Sequence, residues 1–331
     1  MQKTIHPVSH WMVATMTILV LVAILPMSSY ADTGSRNQIQ NEGSVQPCTK
    51  EANSHPEDNA SVNLQAASEL IERWLPCKQA SQFRLSSLNP SEYNKETFEM
   101  SGKDGYIAIS GTSTSALLTG FNWYLKYVAH ANISLNGEQL DLPDVLPLPE
   151  QTIRRDTDIS HRFALNDTNE GYTGPYQSWE EWERQIDVFA LNGINELQVY
   201  VGQEAVYYET FQKFGYTPEE LREWIPLPAH QPWWLLQNMS SFPSPISESL
   251  INKRVTLGKK IAERLRELGI TPVFPGYYGT VPPGFEQRNP GANIVPQGNW
   301  VGFEQPDWLD PTNAYFPQVA EEFYRIQEDL F

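Results

Sequence analysis

Residues 179–205, WEEWERQIDVFALNGINELQVYVGQEA, constrain the fold more than any other stretch of the chain. Ser178 is placed to cap a helix, and Glu181, three residues on, completes a capping box. Trp179, Trp182, Ile186, Phe189 and Ala190 recur at steps of three or four, so one helix face is apolar and must be buried. Gly193 stops the helix, because the turn that ends a helix favours a left-handed backbone. Residues 195–201 then read as a short buried strand, with the polar GQEA at its C-terminal end. A helix feeding a strand through a two- or three-residue loop is the unit of α/β folds. In barrels of that class the chemistry gathers at strand C-terminal ends.

The unit recurs. LNGIN at 191–195 is matched by ELGIT at 267–271, each a glycine helix stop, an isoleucine, a polar residue and a strand. Residues 158–165 (DISHRFAL) read as the strand before the first helix, and residues 272–275 as the strand after a helix over about 247–268. Thr217, Pro218, Glu219 and Glu220 open a further capped helix, and a final helix covers 315–331. Successive units of this kind predict a parallel sheet or barrel. The segments 202–216, 223–246 and 276–311 read as long loops, all on the strand C-terminal side, and long loops are usually functional.

Upstream, residues 61–150 read as a small α+β domain, with a strand at 106–110, an amphipathic helix at 114–128 and an Asn136-Gly137 hairpin turn. The run LPDVLPLPE at 142–150 is the natural linker to residues 151–331. Residues 32–60 are polar and read as a disordered lead-in. Residues 1–31 read as a signal peptide: Lys3, an apolar run over 11–27, and small residues Ser29 and Ala31 before a cleavage point at Asp32. Export follows from that reading; an uncleaved membrane anchor is the alternative, and no other membrane contact is expected.

Forty acidic against 23 basic residues give a formal net charge of −17, which argues against nucleic acid as a partner. Ten Trp and 15 Tyr, among 25 Pro, suit flat-ring packing against sugar C–H faces, although core packing explains most single aromatics. Two cysteines cannot make a zinc site, and the His spacing offers no metal motif, so no metal or cofactor is expected. Cys48 and Cys77 either pair as one disulfide or stay free. Asn59, Asn132, Asn166 and Asn238 head glycosylation triplets, which matter only in a host that glycosylates them.

The ordered motifs carry a family resemblance. His161-Arg162-Phe163 through Tyr172, WERQID at 182–187, ALNGIN at 190–195, GQEA at 202–205, GITPV at 269–273, Gly298-Asn299-Trp300 and Asp310-Pro311 together resemble the α-N-acetylglucosaminidases, family 89 of the glycoside hydrolases. The resemblance runs from about residue 64 to the end of the chain. It implies a small α+β domain, a catalytic (β/α)₈ TIM barrel and a C-terminal helical domain. It implies removal of terminal α-linked N-acetylglucosamine from glycans or glycosaminoglycans with retention, by two glutamates about 5 Å apart and without a cofactor.

The family places both glutamates after the stretch matched here. About three βα units fit in residues 151–331, so an incomplete barrel with neither catalytic glutamate is expected, the acid/base and nucleophile lying beyond Phe331. Such a chain is expected to be inactive alone. A non-catalytic N-acetylglucosamine-binding protein, or a reading frame that continues past Phe331, are the alternatives. The resemblance assigns sugar contacts to Asn166, Thr168, Tyr172, Trp233 and Trp300, with Thr168 standing where family members carry a cysteine. Glu204 is the best-placed carboxylate for the open face, and Glu170, Glu304, Asp307 and Asp310 fall in or near the same loops; solvated or structural roles are the simpler reading of all five.

Overall fold

The computed structural model describes residues 62–240, 242 and 245–331. The expected signal peptide, the lead-in and Cys48 lie outside the described residues; Cys77, its candidate partner, opens a single helical turn.

Helix α1 (Leu64–Trp74) is capped by Asn63, whose side chain accepts from Ala66 N at 3.0 Å. After the turn α2 (Cys77–Ala80) come strands β1 (Phe83–Ser87), β2 (Glu96–Lys103) and β3 (Tyr106–Gly111), helix α3 (Thr114–Tyr127) and the hairpin β4 (Asn132–Ser134) and β5 (Gly137–Gln139). The proline-rich run is then followed by β6 (Ile153–Thr157), which returns to pair antiparallel with β2. The sheet order is β1-β3-β2-β6. Helix α3 lies on it, burying Leu117, Leu118, Phe121 and Tyr124, with Phe83 edge-on to Phe121 at 5.1 Å. Aromatic edges against ring faces and full burial make this the first core.

The same core continues, through Ile186, Leu197, Val199 and Ile270, to parallel strands β7 (Phe163–Ala164), β8 (Glu196–Gln198) and β9 (Thr271–Val273), in that order across the sheet, while a second core gathers Tyr207, Phe211, Trp234 and Phe323 beyond the strand ends. Between β7 and β8 lie α4 (Asp167–Tyr172) and α5 (Trp179–Leu191); between β8 and β9 lie α6 (Gln203–Gln212), α7 (Pro218–Trp224), α8 (Gln231–Leu235) and α9 (Glu248–Glu267). The chain continues through α10 (Phe285–Arg288), short strands β10 (Ile294–Val295), β11 (Asn299–Trp300), β12 (Phe303–Glu304) and β13 (Trp308–Leu309), and α11 (Tyr315–Leu330). The result is a mixed α/β chain.

Both glycine stops behave alike. Gly193 and Gly269 take φ of 75° and 72°, and the following Ile194 and Ile270 amides reach back to Phe189 O and Leu265 O. That is the same helix-ending motif twice, so α5 and α9 deliver β8 and β9 side by side. Helix α5 also has the full capping box of Ser178 and Glu181.

Two expectations are corrected. The strand read at 158–165 is ladder-paired only at Phe163–Ala164, because β6 upstream belongs to the other sheet. The segment 202–216 is not a loop: α6 starts at Gln203, directly after the strand. Its side chains are buried on nearly every side, so it shows no polar stripe to betray it.

Ion pairs fasten the first α+β segment to the βα units that follow it. Asp187 on α5, 2% exposed, takes two bonds from Arg73 (2.9 and 2.6 Å) and one from Trp74 Nε1, both residues on α1. Arg162, just before β7, bonds Glu96 on β2 and the Gly193 carbonyl.

Candidate functional site

The site is built where the three parallel strands end. Leu165, which leads out of β7, sits at φ 68°, a left-handed conformation costly for a branched side chain. It turns the chain so that Asn166 caps α4, accepting from Asn169 N at 3.2 Å. Strained backbone held in this way concentrates at functional positions.

Helix α4 packs against α8. Gly171 of α4 faces Pro232 and the indole nitrogen of Trp233, each 3.6 Å from where a Cβ would stand. Trp233 then stacks on Trp300 of β11, centroids 5.8 Å apart and planes 22° from parallel. Trp300 reaches this position on a two-residue hairpin whose turn, Val301-Gly302, has both φ positive (45° and 87°). The hairpin is tied to the exit of α8: Ser240 N donates to Glu304 O at 2.9 Å and Gln305 Nε2 to Gln237 O at 3.1 Å. Trp300 remains 39% exposed, an aromatic face available to a ligand.

Beside Asn166, Asp167 gathers the end of β8. Its Oδ1 accepts from Gln198 Nε2 at 2.7 Å and from the Tyr200 hydroxyl. Burial, and after it the nearby Asp167 charge, pushes up the phenol of Tyr278, past β9. None of Asp167, Gln198, Tyr200 and Tyr278 stood out in the sequence; the signal that marks them is their position at or just past strand C-terminal ends.

The other candidates separate. Asn166 and Thr168 are exposed at the head of α4. Tyr172, at the other end of α4, is 64% exposed with no ring contact or hydrogen bond among the described residues. Glu204, expected on the open face, is instead fully buried: Arg254 Nε on α9 bonds its Oε1 at 2.5 Å, and Arg254 also donates to Gln231 Oε1. The helix that replaced the expected loop is what turns Glu204 inward. Glu170 joins this interior cluster, 4% exposed, with neither carboxylate oxygen hydrogen-bonded. Burial pushes its carboxyl up to about 7, with Arg254 pulling it down and Glu204 pushing it further up. Asp310 is held low by bonds from Thr312 and Asn293, a structural turn. Glu304 is exposed on the Trp300 hairpin, and Asp307 is raised mainly by burial, then by Glu304 and Glu286. Among the described residues no three His, Cys, Asp or Glu side chains converge as metal ligands.

A strand-end site of stacked indoles, a capping amide and an anchored carboxylate, on successive βα units, has the make-up of a small-molecule site in an α/β protein. Family models place it further. The model described as the alpha-N-acetylglucosaminidase (NAGLU) tim-barrel domain matches residues 162–331, and the one for the N-terminal domain matches 65–148. The human alpha-N-acetylglucosaminidase is 28% identical over 223 residues, covering 66% of this chain and 30% of its own length. A family 89 glycoside hydrolase from Clostridium perfringens, solved with 2-acetamido-1,2-dideoxynojirimycin, superimposes with a TM-score of 0.76 at 34% identity over 81% of this chain and 31% of that one. A form of that enzyme with two Glu-to-Gln substitutions, solved with its substrate GlcNAc-α-1,4-galactose, aligns equally well. The chain belongs to the α-N-acetylglucosaminidase family. It spans about a third of the length of the relatives it matches.

Proposed function

We propose that this chain forms the sugar-binding wall of a retaining glycoside hydrolase that removes terminal α-linked N-acetylglucosamine from glycans. The observation that carries the reading is the Trp233–Trp300 stack, with Trp233 beside Gly171 of α4, one helical turn or so from the cap Asn166. Indole faces pack on sugar C–H surfaces, and amide, hydroxyl and phenol groups of Asn166, Thr168 and Tyr172 bond hydroxyl or acetamido groups. The substrate-bound Clostridium enzyme supports the choice of sugar.

Strands β7, β8 and β9 are then the first three of an eight-stranded barrel, with the site on its C-terminal face. Retaining hydrolysis requires two carboxylates about 5–5.5 Å apart, one a raised acid. Glu204 is committed to Arg254 and buried with Glu170, which supports a structural role for both; on this reading the catalytic pair belongs to a part of the barrel other than these strands. The apolar run at 11–27 supports export of the protein.

The test is hydrolysis of an aryl α-N-acetylglucosaminide by a protein that joins this chain to the remainder of a family 89 barrel. Turnover of the α-linked substrate, absent for the β-linked one and reduced in Trp300→Ala, is the expected result. Turnover unaffected by substitutions at both Trp233 and Trp300 would overturn the reading.

A further inference from the structure

We propose that Asp167 is a specificity-determining residue, its second carboxylate oxygen accepting a hydrogen bond from a hydroxyl of the sugar held at Trp233 and Trp300. The inference rests on the sugar-site reading above and adds a contact to it.

Asp167 and Gly171 are one turn apart on the same face of α4, about 6 Å along its axis. Trp233 lies over Gly171, so the carboxylate and the indole pair border one surface. The carboxylate is held from below. Gln198 Nε2 and the Tyr200 hydroxyl both donate to Oδ1, and Tyr200 is only 3% exposed at the end of β8. Two donors on one oxygen fix the plane of the group and leave Oδ2 facing away from the strand.

Among the described residues Oδ2 has no hydrogen bond and Asp167 no cation partner, yet the atom is not sealed inside the protein. An ionised carboxylate is an acceptor only, with about four lone-pair directions. The one unfilled side therefore calls for a donor from the pocket. A pyranose hydroxyl supplies it, and an oxygen held rigidly by its partner is organised before the ligand arrives. Tyr278, 45% exposed and near enough to feel the Asp167 charge, is a neutral phenol that can bond the same hydroxyl or its neighbour.

Calorimetric titration of the full-length protein with N-acetylglucosamine and its 3-, 4- and 6-deoxy analogues tests this in wild type, Asp167→Asn and Trp300→Ala. Asp167→Asn keeps the shape and the Oδ1 anchor but replaces the free acceptor by a donor. It should weaken N-acetylglucosamine binding by about 10- to 100-fold, the range for a hydrogen bond to a charged group. One deoxy analogue should lose a similar factor on wild type and little more on the variant, which identifies the hydroxyl. Tyr200→Phe, which loosens the anchor, should show a smaller loss with the same analogue pattern, and serves if Asp167→Asn does not fold. Equal weakening toward all four ligands, or wild-type affinity in Asp167→Asn while Trp300→Ala has lost binding, overturns the proposal and leaves the sugar site standing. Wild-type affinity in Trp300→Ala overturns both.

Discussion

Trp233 and Trp300 stack 5.8 Å apart although one lies on a helix between β8 and β9 and the other on a hairpin after β9. Two loops from successive strand ends are thereby closed into one surface. The hydrogen bonds from the Ser240 amide to Glu304 O and from the Gln305 side chain to Gln237 O hold that closure independently of the rings.

Because those ties are independent, Trp300→Ala should leave the melting temperature close to wild type. It should weaken sugar binding by about 2 kcal/mol, or about 30-fold, from the apolar area lost at 25 cal/mol/Å². Parallel melts and titrations check this; a folded variant with unchanged affinity would show that the indole face is not used.

The turn below Trp300 carries stored strain. Val301 has φ 45° and is 76% exposed, so its side chain contributes little packing to offset a left-handed backbone. Val301→Asn makes the Asn-Gly pair that such two-residue hairpin turns favour. Stability should rise by about 1 kcal/mol, read as a shift of the denaturation midpoint.

Glu204 and Arg254 form a buried pair, so breaking it from one side is costly. Glu204→Leu should destabilise by about 3–5 kcal/mol by leaving the Arg254 guanidinium buried alone. The double variant Glu204→Leu with Arg254→Met should recover most of that loss. Denaturant melts of the four proteins form the cycle, and additive effects would contradict a direct pairing.

Glu170 predicts a pH dependence with a definite sign. Its carboxyl rises from 4.5 to about 7 in the folded state, chiefly through burial. The folded protein therefore holds this proton more tightly than the unfolded chain. The contribution is fully present below pH 4.5 and is lost as pH climbs through about 7, a fall of about 3 kcal/mol across that window. Glu170→Gln should flatten that part of the profile and be the more stable protein at pH 8; an unchanged profile would show that Glu170 ionises normally.

What the sequence revealed follows from locality. The capping box at Ser178 and the glycine stops at Gly193 and Gly269 are set by residues within one or two turns, and each appears as read. The stacked Trp233 and Trp300 were legible only through the family resemblance, since their meeting depends on a hairpin docking against α8. Glu204 was misplaced because α6 is enclosed on both sides and hides its helical period. Asp167 went unseen because its partners Gln198 and Tyr200 come from a strand whose register sets the contact.

The most direct test of the account is a crystal structure of the full-length protein with N-acetylglucosamine bound. The sugar ring should lie against Trp233 and Trp300, with Asn166 and Asp167 in hydrogen-bond reach of its polar groups. A sugar bound away from α4 and both indoles, in an otherwise unchanged fold, would contradict it.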